Sequence, residues 1–229
     1  VGHSQPKVCD RPFESLYQSG KITPELLWSR LSKAMRVGNV SLAKFLAAKL
    51  PVKQQRRFYL WHRVYRHPAR FLDDRRLQKK AEWTTDVIVQ GIRRLARSDV
   101  SEASHFWNKF KKSQTFSQSV VQRLDRHLAL LSATRWEDNA TSALSALTVK
   151  DDAVHGWRVP QALRRQDWHA VQQQIEKMPD SLQQQNVWRY WRARALEQLG
   201  EKTQAVDLYK SLSGERDFHG FLAAERIGE

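Results

Sequence analysis

A chain of 229 residues with 41% hydrophobic side chains can bury about 70% of the surface it exposes when unfolded, so it needs no metal or disulfide to hold a core. Its 39 Lys and Arg outnumber 24 Asp and Glu, a formal net charge of +15 that favours anionic partners: nucleic acid, acidic lipid or an anionic wall polymer. The composition argues against disorder, and no apolar run approaches the ~18 residues of a membrane span. The single cysteine, Cys9, excludes an internal disulfide and a Cys-based zinc cluster. It reads either as an unpaired thiol or as the partner of a cysteine upstream of this chain. No signal peptide is visible; in an exported protein it would already have been removed.

Apolar spacing is helical wherever it can be judged. Thr23-Pro24-Glu25 reads as an N-cap with Pro at the first helical position, and Leu27, Leu31, Ala34 and Met35 follow on one face. Gly38-Asn39 ends that helix and caps the next, whose apolar face is Leu42, Phe45, Leu46 and Leu50. Pro51, Pro68 and Pro179 break the pattern between helical runs. Ser98-Asp99, Gln166-Asp167 and Gly200-Glu201 mark similar junctions. Val121, Leu124, Leu128 and Leu131 form another apolar face, as do Trp188, Trp191, Ala195 and Leu199. Gly91 and Pro160 fall inside helical patterns and are candidate kinks or boundaries. No alternating strand pattern and no Asn-Gly or Asp-Gly hairpin turn is found. The expected fold is all-α, with helices of about 10–18 residues joined by short connections.

One unit recurs along the chain. Ala34-Met35-Arg36-Val37-Gly38-Asn39 leads into a helix ending Leu50-Pro51, and Ala162-Leu163-Arg164-Arg165-Gln166-Asp167 leads into one ending Met178-Pro179, over the same length. Leu95-Ala96-Arg97-Ser98-Asp99 opens a third copy that runs to Phe110. Leu199-Gly200-Glu201 opens a fourth, with Ala205, Leu208, Tyr209 and Leu212 behind it. The junctions at 39, 99, 167 and 201 lie 60, 68 and 34 residues apart. Those gaps are near one or two multiples of the ~34-residue tetratricopeptide period. One hairpin cannot bury its apolar face alone, so the pattern predicts stacked hairpins forming a TPR-like α-superhelix. Most of the nine Trp are expected to pack between hairpins.

Motifs that carry chemistry are absent. There is no Gly-rich phosphate loop, no His-Glu-x-x-His pair and no nucleophile elbow, and nothing calls for a metal or another cofactor. The strongest candidate surface is a basic stretch: Arg56, Arg57, Arg63, Arg66, Arg70, Arg75, Arg76, Lys79 and Lys80, opposed by Asp73 and Asp74. Phe58, Tyr59, Trp61, Tyr65 and Phe71 are interleaved with it. It reads either as a groove for an anionic polymer, with aromatic stacking on bases or sugar rings, or as a solvated helix face with its aromatics in the core.

The C-terminal segment carries a resemblance. Trp188-Arg189-Tyr190-Trp191-Arg192-Ala193-Arg194-Ala195-Leu196 leads to Leu199-Gly200, Ala205 and Leu208-Tyr209. Gly214-Glu215-Arg216-Asp217-Phe218-His219-Gly220-Phe221-Leu222-Ala223-Ala224-Glu225-Arg226-Ile227-Gly228 follows. This is similar to the soluble lytic transglycosylases of Gram-negative bacteria, just before their catalytic domain. Cys9-Asp10 with Phe13, and Ala34 to Asn39, resemble the same family's superhelical region, whereas residues 52–150 match only in helical character. The resemblance implies a periplasmic location and peptidoglycan as partner. It implies a parent enzyme that cleaves the β-1,4 bond between N-acetylmuramic acid and N-acetylglucosamine, giving a 1,6-anhydro product without water. The family's catalytic motif is a Glu-Ser pair with Gly-Leu-Met-Gln downstream. The only Glu-Ser pair here is Glu14-Ser15, followed by Leu16-Tyr17-Gln18-Ser19-Gly20, so no catalytic residue is assigned and Glu14 reads as a decoy.

The expectation is therefore a superhelical part over 1–180 and a linker-type helical part over 181–229, ahead of a C-terminal catalytic domain. Two readings from other classes stay open: a basic helical-repeat protein that binds nucleic acid, and a repeat scaffold for another protein.

Overall fold

The computed structural model describes residues 2–3, 10–148 and 151–228. Cys9 lies outside them. The described residues form fifteen α-helices and one short 3₁₀ turn, with no strand. Backbone contacts divide the chain into two compact units, Val1–Ser117 and Gln118–Glu229.

The first unit holds α1 (Asp10–Gln18), α2 (Pro24–Arg36), α3 (Val40–Ala48), α4 (Val52–Arg66), α5 (Pro68–Phe71), the 3₁₀ turn Arg75–Gln78, α6 (Glu82–Leu95) and α7 (Val100–Ser113). The second holds α8 (Gln118–Thr134), α9 (Ala140–Ser145), α10 (Asp152–Arg164), α11 (Trp168–Glu176), α12 (Asp180–Gln183), α13 (Asn186–Gln198), α14 (Lys202–Ser213) and α15 (Phe218–Ile227). The four recurring sequence junctions are the turns of four hairpins: α2/α3, α6/α7, α10/α11 and α13/α14.

Three of these turns share one backbone motif. The Asn39 N–H donates to Ala34 O at 2.8 Å, Asp167 N–H to Ala162 O at 3.1 Å, and Glu201 N–H to Leu196 O at 2.9 Å. Each closes a six-residue Schellman turn around a left-handed residue: Gly38 at φ +80°, Gln166 at +53°, Gly200 at +89°. Asn39 and Asp167 then cap the following helix, accepting from Leu42 N–H at 3.1 Å and Ala170 N–H at 3.0 Å. The turn at Ser98-Asp99 keeps only the cap, with Asp99 accepting from Glu102 N–H at 2.7 Å. A fifth copy, which the sequence pattern did not reveal, joins α8 to α9. There Trp136 takes φ +59° and Glu137 N–H donates to Ser132 O at 3.0 Å. It divides the 68-residue interval into 38 and 30, close to one period each. Trp136 has neither the conformational freedom nor the composition of a turn residue, so sequence alone could not mark it.

Gly91 and Pro160 are not boundaries: α6 and α10 run through them. Gly91 serves close packing instead. A Cβ there would meet Val64 Cγ1 at 2.5 Å and Leu72 Cδ2 at 2.9 Å, so its absence lets α6 settle onto α4 and α5. Phe45 departs from the expected apolar face. It is 58% exposed, with the Lys49 ammonium 5.0 Å from its ring. Three helices are shorter than expected, α5 and α12 at four residues and α9 at six.

In the first unit the largest wholly buried side chains include Trp61, Trp107, Phe58 and Phe110. Gln90 ties three helices together there: its carbonyl oxygen accepts from Trp61 Nε1 on α4, and its amide donates to the Met35 carbonyl on α2. In the second unit successive hairpins share small cores. Ala129, Ala133, Ala140 and Leu144 meet Val154; Val159 and Ala162 meet Val171, Ile175 and Ala195; Tyr190 and Leu196 meet Tyr209, Leu212 and Ala223. Of the nine Trp, two are fully buried, Trp136 is exposed, and the other six are half-buried against neighbouring helices.

Candidate functional site

The basic stretch spans α4, α5 and the 3₁₀ turn, and the fold sorts its members. At 3.6 residues per turn, Val52, Arg56, Tyr59, Arg63 and Arg66 fall within an arc of about 80° on α4. All five are exposed, whereas Phe58, Leu60, Trp61 and Val64 face the core. Arg70 on α5 continues this outer face through Phe71: the Arg63 guanidinium lies 4.0 Å from that ring and the Arg70 guanidinium 5.4 Å. Arg75, Lys79 and Lys80 are exposed beyond it. Two of the nine do not join the face. Arg57 points to the other side of α4, where its guanidinium lies 5.5 Å from the Trp83 ring. Arg76 is held by Asp74, with Nε and Nη2 donating to the two carboxylate oxygens at 2.9 and 2.7 Å. That pairing keeps the Asp74 carboxyl below its usual range. Of the interleaved aromatics, Phe58 and Trp61 are core, Tyr65 lies under Arg94 at 4.1 Å, and Tyr59 alone is exposed, at 58%.

Arg57 opens onto a feature that sequence reading missed. Between the polar face of α2, the first two turns of α4 and the start of α6 lies a crevice of about 590 Å³. Glu25, Trp28, Ser29, Ser32, Lys33 and Arg36 line it at helical spacing on α2; Gln54 and Arg57 come from α4; Glu82, Trp83 and Asp86 come from α6. Its walls are fixed by Gln90 behind them and by Arg36, whose Nη2 donates to both Asp86 oxygens at 2.8 and 2.7 Å. Glu25, Glu82 and Lys33 are exposed and have no ion-pair partner among the described residues. The Gln54 carbonyl oxygen is buried without a hydrogen-bond donor. The one sequence signal was the polar stripe of α2 with a Trp in it, and α6 had to be folded against it before the stripe became a wall.

The C-terminal segment has its own network. The Tyr209 hydroxyl on α14 donates to Glu197 on α13 at 2.8 Å, and Arg194 donates to the same carboxylate. Burial and Glu197 together push the Tyr209 hydroxyl well above its usual range. Asp217 caps α15 through His219 and Gly220 N–H, both at 2.9 Å, and accepts from Asn186 at 2.7 Å. These contacts tie α13, α14 and α15 together. Glu14 and Ser15 are both exposed on α1. Among the described residues no group of three or more His, Asp and Glu could hold a metal, and no helix is long and apolar enough to cross a membrane.

No protein-family model matches the sequence. Known proteins do. The soluble lytic murein transglycosylase of Escherichia coli is 25% identical over 237 aligned residues, covering all of this chain, and that of Salmonella typhimurium is also 25% identical. A lytic transglycosylase from Pseudomonas aeruginosa, solved as an inactive mutant, superposes with a TM-score of 0.83 at 33% identity over the whole chain. The chain is homologous to the soluble lytic transglycosylases. It spans 36% of the length of the curated relatives and 38% of the solved chain. The 70-kDa soluble lytic transglycosylase solved with bulgecin A has the same fold, with a TM-score of 0.70 at 24% identity. The all-α, helical-repeat architecture is therefore that of the superhelical region of these proteins.

Proposed function

We propose that this chain is a non-catalytic, helical-repeat part of a peptidoglycan lytic transglycosylase. In this reading residues 1–180 belong to the superhelical domain that shapes the path of the glycan strand. Residues 181–229 form the linker helices ahead of a C-terminal catalytic domain. That domain would cleave the bond between N-acetylmuramic acid and N-acetylglucosamine to 1,6-anhydro products, in the periplasm. The observation that carries the reading is similarity over the whole chain to lytic transglycosylases, in a sequence that lacks a Glu-Ser pair with Gly-Leu-Met-Gln downstream.

The exposed face of α4 supports contact with the wall. Arg56, Arg63 and Arg66 present guanidinium groups with no salt bridge among the described residues beside Tyr59, and the peptide stems and muramyl lactyl groups of peptidoglycan carry carboxylates. Guanidinium suits this role because its planar fork meets carboxylates through two hydrogen bonds. Each exposed contact contributes about 0.5 kcal/mol, so three together account for roughly tenfold in affinity.

The test is co-sedimentation of the 229-residue chain with purified sacculi, with the supernatant assayed for 1,6-anhydro-muropeptides. Binding without release is expected, reduced about tenfold in R56Q/R63Q/R66Q. Anhydro product above a buffer blank would overturn the non-catalytic assignment, and Glu14→Gln would then be the first variant to make. Absence of binding would overturn the wall-contact role of α4. Preferential binding of nucleic acid, falling steeply with salt, would replace this reading with the nucleic-acid one.

A further inference from the structure

The crevice in the first unit differs chemically from the face of α4. A polyanion track should show cations alone, as α4 does. The crevice instead brings Glu25 and Glu82 alongside Lys33 and Arg57, so both signs of charge line one cavity in a protein of net charge +15. Two carboxylates at that position repel a simple polyanion. A neutral sugar can hydrogen-bond these groups but brings no charge to offset either sign. Glu25, Glu82 and Lys33, charges of both signs with no ion-pair partner among the described residues, fit a ligand that supplies both complements.

The remaining lining agrees with this. Trp28 and Trp83 are half-buried and give the cavity apolar walls. Ser32, at 6% exposure, adds a hydroxyl to the lining. Gln54 adds its amide to the lining, although its carbonyl oxygen is itself buried. A volume of about 590 Å³ lies in the usual range for a ligand of several residues. Gln90 and the Arg36–Asp86 pair also tie α2, α4 and α6 together around the crevice.

We propose that this crevice is a peptide site, binding a short segment that carries both a free amine and carboxylates, with the amine toward Glu25 and Glu82 and a carboxylate toward Lys33 and Arg57. Given the wall-polymer reading above, the ligand is the peptide part of peptidoglycan rather than its glycan. The superhelical part would then read the stems on a strand in addition to attracting its charge.

Titration calorimetry separates the two parts of the polymer. Stem peptides released from sacculi by an amidase, and the peptide-free glycan strands left behind, are each titrated into the 229-residue chain. Peptides are expected to bind, and Glu82→Gln and Lys33→Gln each to weaken them about tenfold, since a charge-assisted hydrogen bond is lost in each case. Both side chains are exposed and unpaired, so thermal unfolding should stay unchanged and confirm that the variants fold. R56Q/R63Q/R66Q should leave peptide binding intact. Absence of peptide binding, insensitivity to both crevice variants, or displacement of peptides by glycan strands alone would each overturn the proposal. Sacculus binding that survives without peptide binding would sink the crevice and spare the α4 face; the converse would do the reverse.

Discussion

Arg56 and Arg57 are neighbours in the chain and belong to different surfaces. Arg56 joins Tyr59, Arg63 and Arg66 on a face with no acidic side chain from its own helix. Arg57 lies against Trp83 in a cavity that also holds carboxylates. The first surface follows from one helix and its periodicity. The second exists only because α6, which follows a connector of four residues of α5 and a 3₁₀ turn, returns against α2 and α4. The lesson is that a cluster of charges in sequence is not yet a site. The turn of the helix divides it, and distant segments supply the other half.

The heaviest blow to both surfaces at once should come from Trp61, which is wholly buried and hydrogen-bonded to Gln90. Trp61→Ala is expected to lose about 3–5 kcal/mol in urea unfolding and to abolish binding at either surface. Gly91→Ala should follow, because its Cβ would press on Val64 and Leu72. A loss of about 1–3 kcal/mol is expected, and unchanged stability would show that α6 is less tightly seated than its geometry indicates. Asp99→Ala removes the cap of α7 and should lose about 1 kcal/mol, leaving both surfaces intact.

Two smaller changes separate the surfaces. Asp74 has its folded pKa lowered by the hydrogen bond from Arg76, so its contribution is fully present above the ordinary carboxylate value of about 4 and is lost as pH falls through the lower folded value. Arg76→Gln should flatten that part of the acid limb, measured by thermal unfolding across pH, without touching the crevice. Arg36→Gln breaks an exposed pair with Asp86 and should change stability by less than about 1 kcal/mol. It should nonetheless loosen one wall of the crevice and weaken stem-peptide binding while sacculus attraction through α4 persists.

Much of the architecture was written in local chemistry. Thr23, Asn39, Asp99 and Asp167 cap helices because a short oxygen-bearing side chain reaches the free N–H groups of the first turn. Gly38 and Gly200 end helices because a left-handed residue without a Cβ is unstrained there. Such signals need only neighbours in sequence, and they revealed four of the five repeat turns. The fifth, at Trp136, was silent because a residue with no turn preference is held at φ +59° by the helices on either side.

The same division runs through the candidate sites. Periodicity alone determines that Arg56, Arg63 and Arg66 share a face, since every residue adds about 100° around one helix. Nothing local pairs Arg36 with Asp86, turns Gly91 into a contact surface for Val64 and Leu72, or sets Trp28 and Trp83 in one cavity. Those outcomes depend on packing between segments far apart in the chain. Burying Trp61, Leu72 and Ile88, together with the Gln90 bridge, fixes where α2, α4 and α6 meet, and the crevice lies between the polar face of α2 and the N-terminal parts of α4 and α6.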